Sequence, residues 1–350
     1  MPTVSAERLE QICRSAVLAM GGSQAVADDM VASLLSANME GMDSHGMIRM
    51  PQYLRLMDEG LINPKAETEV VRQDRAVTLL DGHWGFGQVG ARVATRLAIK
   101  AAREHALGAA GIYHVLHVGR LKDYVLLVAL QNMVGLAMAS AGPAGGAVAP
   151  YRGARARFGT NPIAFAVPRR SGEPVTGDFA TSVSAEGKLR LAVNTRHNVA
   201  EGTLIDKNGL PTNDPNDFYA GGALLPMAAH KGYLLNLMVE IVGGLLVGSG
   251  AAALTKTTPG NGFLIVAFDI EAFRPFGGFV DEMEELVTTV KSTKSAPGQP
   301  PVLLPGEPET IARAERSKSG IPVDDEAWSA LKAMGVRLAL PASLFEVEGR

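Results

Sequence analysis

Hydrophobic and polar positions follow two different periods along this chain. Through the first 60 residues, apolar side chains recur every three to four positions, the period of helices with one buried face. Ser5 is placed to cap a first helix, with Glu7 in its first turn and Gly21-Gly22 at its end. Ser23 caps a second helix that runs to Gly41. Pro51 stands near the start of a third, closed by Gly60 and Pro64. From about residue 68 the period changes. TEVVRQDRAVTLLDG alternates as two strands that turn near Asp74. A long helix from about Gln88 to His105 follows, then a short strand over Gly111 to Val115, a helix from about Leu121 to Asn132, and a strand over VGLAMA. SAGPAGGAVAPYRG reads as a loop. IAFAVP and VTGDF read as strands, 182–197 as a helix, and Asp206-Lys207-Asn208-Gly209 as a turn. A long loop, PTNDPNDFYAGGALLPMAAHKG, leads into an apolar helix over 231–248. GFLIVAFDI is the clearest strand of the chain. A helix over Asp281 to Ser292, a proline-rich bend and two short helices complete it. Strands alternating with helices predict an α/β sheet with helices on its faces, preceded by a helical N-terminal region.

Composition narrows the function classes. A net charge of −3 gives no general attraction to nucleic acid or to an anionic membrane, so any bound anion must be caught by local positive groups. The single cysteine, Cys13, lies in an apolar-periodic stretch and reads as a buried thiol. One cysteine allows no internal disulfide, which fits a reducing cytosol. No metal-type Cys/His spacing occurs. MPTVSAERLEQ is polar and carries acids, so no signal peptide is expected there. The most apolar run, Leu234 to Gly248, contains Glu240 and is too short to span a bilayer.

Several segments carry candidate chemistry, each with a plainer alternative. Gly85-Phe86-Gly87-Gln88-Val89-Gly90 matches GxGxxG between a strand and a helix, the context of a dinucleotide fingerprint. However, the next strand ends without the acid that would bind a ribose, and Trp84 and Phe86 crowd the turn. A tight turn with close helix–strand packing explains the glycines better. In Asp43-Ser44-His45-Gly46, a helical continuation would place His45, Arg49 and Tyr53 on one face, as a pocket for a carboxylate and a proton-transfer group. The alternative is a helix start capped by Ser44. His117, before Gly119-Arg120, lies at a strand tip, where ligands bind in α/β folds. Asn161 sits in a Gly-Thr-Asn-Pro turn. Asp178, Ala180, Thr181 and Ser182 end a strand and open a helix, suiting a phosphate, a ribose or an ordinary cap. His230, Lys231 and Gly232 open another helix.

Taken in order, DSHGMIRMPQY, His117 before GRLKDY, APYRG with GTNPIAFAVP, DFATS, GLPTNDP, GGALLP with HKGY, and VLLPGE resemble the malate/L-lactate dehydrogenase-like family, also called sulfolactate dehydrogenase-like. The resemblance runs from about residue 38 to 322. It implies a non-Rossmann α/β fold with a mixed sheet, and homodimers with active sites near the subunit interface. The implied units are a mainly helical substrate- and dimer-forming one (1–75 plus 305–350) and an α/β nicotinamide-binding one (76–304). It implies an oxidoreductase using NAD or NADP on a small 2-oxo or 2-hydroxy acid, with cyclic imino acids, ureidoglycolate or diketogulonate as alternative substrates. A non-catalytic dimer that keeps the fold is the alternative of another class. Carried over, His45 and His117 are the candidate proton donors, and Arg49, with Ser44, Tyr53 and Asn161, would hold the substrate. Asp178, Ala180, Thr181, Ser182, His230, Lys231 and Gly232 would contact the cofactor, with Pro305, Gly306 and Glu307 closing over it. The chain departs from the family's usual pattern at Val118, at Met227-Ala228-Ala229, where the family has Phe-Gly-Gly, and at Leu234, which replaces a glycine.

Overall fold

In the computed structural model, which describes residues 1–140, 146–254 and 260–346, the change of period at residue 68 is a change of architecture. Strand β1 (Thr3–Val4) leads into helices α1 (Ala6–Ala19), α2 (Gln24–Met39) and α3 (Met50–Asp58). The expected caps are in place: Ser5 Oγ accepts from the Arg8 N–H at 3.2 Å, and Ser23 Oγ from the Val26 N–H at 3.3 Å. The sheet region follows as β2 (Glu69–Asp74), β3 (Val77–Gly85), α4 (Gly87–His105), β4 (Leu107–Val115), α5 (Lys122–Ala129), β5 (Met133–Ser140), β6 (Ile163–Val167) and β7 (Val175–Phe179). Next come α6 (Glu186–Thr195), β8 (Leu204–Ile205), β9 (Pro211–Thr212), α7 (Pro215–Tyr219), β10 (Ala223–Leu224) and α8 (His230–Val239). The remaining elements are β11 (Asn261–Asp269), α9 (Ile270–Phe273), α10 (Phe276–Lys291), α11 (Glu307–Ser319), β12 (Ile321–Pro322) and α12 (Asp325–Arg337).

Seven strands form one sheet in the order β2-β3-β4-β11-β5-β6-β7. Only β3 and β4 run parallel; every other pairing is antiparallel, so the sheet is mixed, as expected. Strand β2 pairs with β3, so the sheet begins at Glu69, where the alternation begins in the sequence. Two large cores result. One joins α1, α2, α3 and α12 through Leu9, Ile12, Met30, Leu34, Met50 and Leu331. The other lies between the sheet and α4 and α5.

Four expectations need correction. The helix expected over 182–197 starts only at Glu186. The long loop after residue 210 contains β9, α7 and β10, whose two-residue strands are too short to show alternation. The helix before Ser292 begins at Phe276 rather than Asp281. The apolar helix is α-helical only to Val239 and then widens into a π-turn over Glu240–Leu245. There the buried Glu240 carboxylate accepts from Asn161 Nδ2 at 2.5 Å and from the Ala252 N–H, while Gly243 and Gly244 press against β5 at Ser140. Part of the expected loop after Ser140, residues 141–145, lies outside the described residues.

Candidate active site

The two cores meet at a pair of histidines. His45 and His117 stack with ring centroids 5.5 Å apart. His45 comes from the helical side, on a 3-10 turn over Asp43–His45. That turn is clamped at both ends. Arg316 of α11 grips Asp43 with two bonds of 2.6 and 2.9 Å. Asn38 donates to Asp43 at 2.6 Å and accepts from the Met47 N–H at 2.8 Å. Gly46 is required here, because a Cβ would run into the Asn38 amide. Its ψ of −149° breaks the helix, so His45, Arg49 and Tyr53 do not lie on one continuous helical face as expected. His117 comes from the sheet side, two residues beyond β4.

Arg49 stands on the helical side of the seam. Its Nε donates to the Ser44 carbonyl at 2.6 Å and one terminal nitrogen to Gln52 at 2.8 Å. Among the described residues it pairs with no carboxylate. Ser44 Oγ lies 3.0 Å from His45 Nδ1. Burial, then the Arg49 charge, then Arg120 hold the His45 imidazole down at about 4. Burial, with Arg49 and His45, holds His117 well below the ordinary histidine range. Near neutral pH both rings are therefore uncharged, beside a guanidinium without a counter-ion.

Tyr53 is directed differently from the expectation. Its phenol is 1% exposed and points at the back of His117, 2.8 Å from Nδ1. Gln88 donates to the same hydroxyl at 2.6 Å. Sequence reasoning missed Gln88. The available signal was its place on the buried stripe of α4, in register with Ala91, Arg92, Thr95 and Ala98. Asn161 is also redirected: it is fully buried, and its amide donates to Asn236 and Glu240.

The segments expected at the cofactor gather around the end of β7. Met227 N–H donates to the Thr181 carbonyl at 3.0 Å, and Ser182 bridges Pro226, so Ala180–Ser182 lies beside the start of α8. Gly187, a few residues further on, sits against Ser44, the neighbour of His45. The Pro305–Glu307 turn closes on β7. Thr176 N–H donates to the Pro305 carbonyl at 3.3 Å, and a Cβ on Gly306 would fall 2.5 Å from Thr176 Oγ1. Several of these side chains are already engaged. Thr181 Oγ1 donates to the carbonyls of Thr160 and Asn161, and Ser182 Oγ to that of Ser184, so neither hydroxyl caps a helix. Glu307 holds Lys291 at 2.6 Å. Asp178 caps a helix other than the expected one: its carboxylate accepts from the N–H groups of Leu121 and Lys122 at the start of α5, and burial raises it to about 6. Beside it, the buried Glu40 binds Arg120, Lys122 and Arg313, tying α2, the chain after His117 and α11 together. Burial opposes the Glu40 charge, but these three cations outweigh it and hold the carboxyl below its ordinary value.

A family model described as malate/L-lactate dehydrogenase matches residues 4–332. The chain belongs to this family. It is 33% identical to hydroxycarboxylate dehydrogenase B of Escherichia coli (strain K12) over 353 residues, covering 96% of this chain and 94% of the relative. Among solved structures, the sulfolactate dehydrogenase from Methanocaldococcus jannaschii superposes with a TM-score of 0.89 at 30% identity, over 98% of this chain and 99% of that one. Delta1-piperideine-2-carboxylate reductase from Pseudomonas syringae pvar. tomato superposes with a TM-score of 0.84 at 32% identity, over 95% of this chain and 100% of that one.

Membership in the malate/L-lactate dehydrogenase family makes the protein an oxidoreductase and implies a nicotinamide cofactor. The residues present fit one. Helix α8 starts without a side-chain cap, and the exposed Lys231 beside it has no carboxylate partner among the described residues. Gly232 lies so close to the Met227 carbonyl that no side chain could stand there. The glycines of the Gly85–Gly90 motif instead serve packing in this dehydrogenase. A Cβ on Gly87 would lie 2.5 Å from the His117 carbonyl, and one on Gly90 would lie 2.6 Å from Ile112. Among the described residues no helix is long and apolar enough to cross a membrane, and no cluster of three His, Cys, Asp or Glu could hold a metal ion.

Proposed function

We propose that the protein interconverts a small 2-oxo acid and its 2-hydroxy acid with NAD or NADP. The observation that carries this reading is the unpaired Arg49 guanidinium beside two uncharged imidazoles. A guanidinium fork matches a carboxylate in two parallel hydrogen bonds, and here it stands beside groups able to pass a proton to the neighbouring carbonyl oxygen. The cofactor supplies the hydride equivalent. Arg49 holds the carboxylate and so fixes C2. Ser44 orients His45, and the two rings flank the carbonyl oxygen, with His117 passing the proton. Burial is the larger cause of the depressed imidazoles; the carboxylate offsets the Arg49 charge that adds to it, so substrate binding eases proton uptake at the site where the proton is needed. Lys231, the start of α8 and the Gly306 turn would hold the cofactor's phosphates and ribose, along with the backbone of Ala180 to Ser182.

In this reading the helical unit (1–75 with 305–350) supplies the substrate side, and the sheet unit (76–304) the cofactor side. A homodimer is supported by an apolar stripe on the outer face of α8 and its π-turn. Leu234 is 61% exposed, and Ile241, Leu245 and Leu246 are exposed beside it. A cytosolic location accords with one fully buried cysteine whose thiol burial pushes up to about 12.

The test is oxidation of NADH and NADPH against a panel of small 2-oxo acids, with cyclic imino acids as a second arm because a reductase of that kind shares the fold. Turnover of a 2-oxo acid is expected, with kcat/KM reduced about 100-fold or more in Arg49→Gln. Light scattering is expected to give twice 36.8 kDa. Turnover confined to imino acids would replace the substrate class, and wild-type kcat/KM in Arg49→Gln would remove the carboxylate role.

A further inference from the structure

The GxGxxG stretch serves packing and is left without a chemical role by the dehydrogenase reading, yet it places one polar side chain at the back of the histidine pair. Gly87 lets the first turn of α4 press against the His117 peptide, 2.5 Å from where a Cβ would stand. Gln88 follows at once and is fully buried. Gly119, at φ +75°, comes back over Gln88, with a Cβ position 3.3 Å from its Cγ. The amide is thereby confined between its own helix and the chain leaving His117. Its Nε2 donates to Tyr53 at 2.6 Å, and its Oε1 has no hydrogen-bond partner among the described residues. Tyr53 packs its ring edge-on to Phe86, with centroids 6.0 Å apart, and carries its hydroxyl to His117 Nδ1.

We propose that Tyr53 and Gln88 form a buried relay of reversible polarity that decides which nitrogen of His117 carries the proton. This rests on the reading that His117 passes the proton. In the arrangement seen, Gln88 N–H donates to Tyr53, so the phenol proton is directed to Nδ1. A neutral His117 then carries its proton on Nε2, the nitrogen away from the relay. When the ring takes up a solvent proton on substrate binding, Nδ1 becomes a donor to the Tyr53 oxygen. The phenol proton then needs a new acceptor. Gln88 Oε1, the atom without a partner, supplies it when the amide turns over. The doubly protonated ring gives its Nε2 proton to the carbonyl oxygen and is left neutral, with its remaining proton on Nδ1. In the oxidative direction the same setting leaves Nε2 free to take the hydroxyl proton. A glutamine can hold both settings because it offers one donor group and one acceptor. Tyr53 remains an un-ionised phenol throughout, since burial raises it to about 12. Both are positioning residues; neither needs to touch substrate.

The test uses the full-length enzyme with histidine nitrogens labelled, comparing parent, Tyr53→Phe, Gln88→Met and His117→Ala. Phenylalanine keeps the ring against Phe86, so Tyr53→Phe is expected to fold. In the parent at neutral pH, long-range proton–nitrogen correlations should show His117 with its proton on Nε2, the signal being assigned by its loss in His117→Ala. Tyr53→Phe should mix the two tautomers and lower kcat about 10- to 100-fold with KM nearly unchanged, and Gln88→Met should lower kcat less. The double variant should be no worse than Tyr53→Phe alone, because the two side chains act in series. An unchanged tautomer and a kcat within twofold of the parent in Tyr53→Phe, with His117→Ala inactive, would overturn the relay and leave the proton-transfer role of His117 standing. Full turnover in His117→Ala would overturn both.

Discussion

The two cores that meet at the histidine pair are built from different side chains. The helical core is filled by long ones: Leu9, Ile12, Met20, Met30, Leu34, Met47, Met50 and Met334. In the sheet core about half of the buried residues are alanine, among them Ala91, Ala94, Ala98 and Ala102 on α4 and Ala110, Ala137, Ala139, Ala164 and Ala166 on the strands. Small residues let backbones touch. A Cβ on Gly108 would stand 2.6 Å from the Ala102 nitrogen and would also meet the Ala98 carbonyl. Thus α4 is seated on β4 by main chain rather than by side-chain interdigitation. His117 extends from that backbone-set unit, whereas His45 and Arg49 stand on short turns held by Asn38 and Arg316. One half of the site is positioned by close packing and the other by polar clamps on a more adaptable core.

Paired substitutions should break the comparison if it is wrong. In the helical core, Leu34→Ala opens a cavity and should cost about 2–5 kcal/mol. Met30→Leu, nearly volume-conserving, should cost less than about 1.5 kcal/mol. In the sheet core, adding a single methyl with Gly108→Ala should cost about 1–3 kcal/mol, because the atoms it meets are backbone and cannot rotate away. Urea unfolding measures all three. The sharper contrast is functional: folded Leu34→Ala should keep kcat near the parent, while Gly108→Ala pushes on the C-terminal part of α4 and should lower kcat by shifting the helix as a unit, with Gln88 at its far end. A neutral Gly108→Ala would mean that α4 and β4 slide past each other freely.

The difference between the cores also explains what was legible in the sequence. Local signals were strong where the element decides its own structure, as in the caps at Ser5 and Ser23, the strand β11 and the period change at β2. His45 with Arg49, and separately His117, stood out in two short motifs that only the family resemblance joined, and the fold brings the two motifs together. The directions of side chains were not legible. Tyr53 faces His117 because Gly46 interrupts the helix, a break that spacing four apart conceals. Gln88 was hidden inside a pattern whose glycines drew attention to phosphate, although they serve contact with the His117 peptide. Asp178 reads as a cap for the chain that follows it, yet it caps α5, more than 50 residues earlier, because β7 delivers it there across the sheet.

The buried histidine pair gives a smaller, pH-dependent effect. A histidine in the unfolded chain titrates near 6.5, while His45 titrates at about 4 and His117 also lies well below the ordinary range. As pH falls below about 6.5, the unfolded chain takes up protons that the folded chain refuses, so stability is lost on acidification. Asp178 acts in the opposite sense. Burial raises it to about 6, so the folded chain takes its proton first and gains stability as pH falls from there toward 3.8. Glu240, also raised by burial, acts in the same sense as Asp178, but between pH 7 and 5.5 the two imidazoles should outweigh the carboxyls, for a net loss of about 1–2 kcal/mol in denaturant unfolding. In His45→Gln/His117→Gln the loss should vanish or reverse, exposing the carboxyl contribution. An equal loss in parent and double variant would place its origin outside the seam.

The turn before Lys231 is set neither by close packing nor by clamps but by backbone strain, and it should yield the smallest effect. Ala228 and Ala229 have φ of +46° and +55°, and Ala229 has ψ −121°, outside the left-handed well that an L-residue can occupy at modest cost. Both φ values lie in the region that glycine favours, and the chain takes this glycine-shaped turn with alanines. What holds it is the approach that follows, where Gly232 abuts the Met227 carbonyl so that α8 can begin at His230. Glycine would relieve the Cβ strain at either position, but it would also gain conformational freedom in the unfolded chain, so the two effects oppose each other. Relief should win, more clearly at Ala229, with each of Ala228→Gly and Ala229→Gly raising stability by no more than about 1 kcal/mol in thermal unfolding. Because the backbone path is already that of glycine, the KM for the nicotinamide should change little. A loss of stability in Ala229→Gly would show that the turn relaxes in solution to a conformation alanine accepts. The seam would then be shaped by the two cores alone.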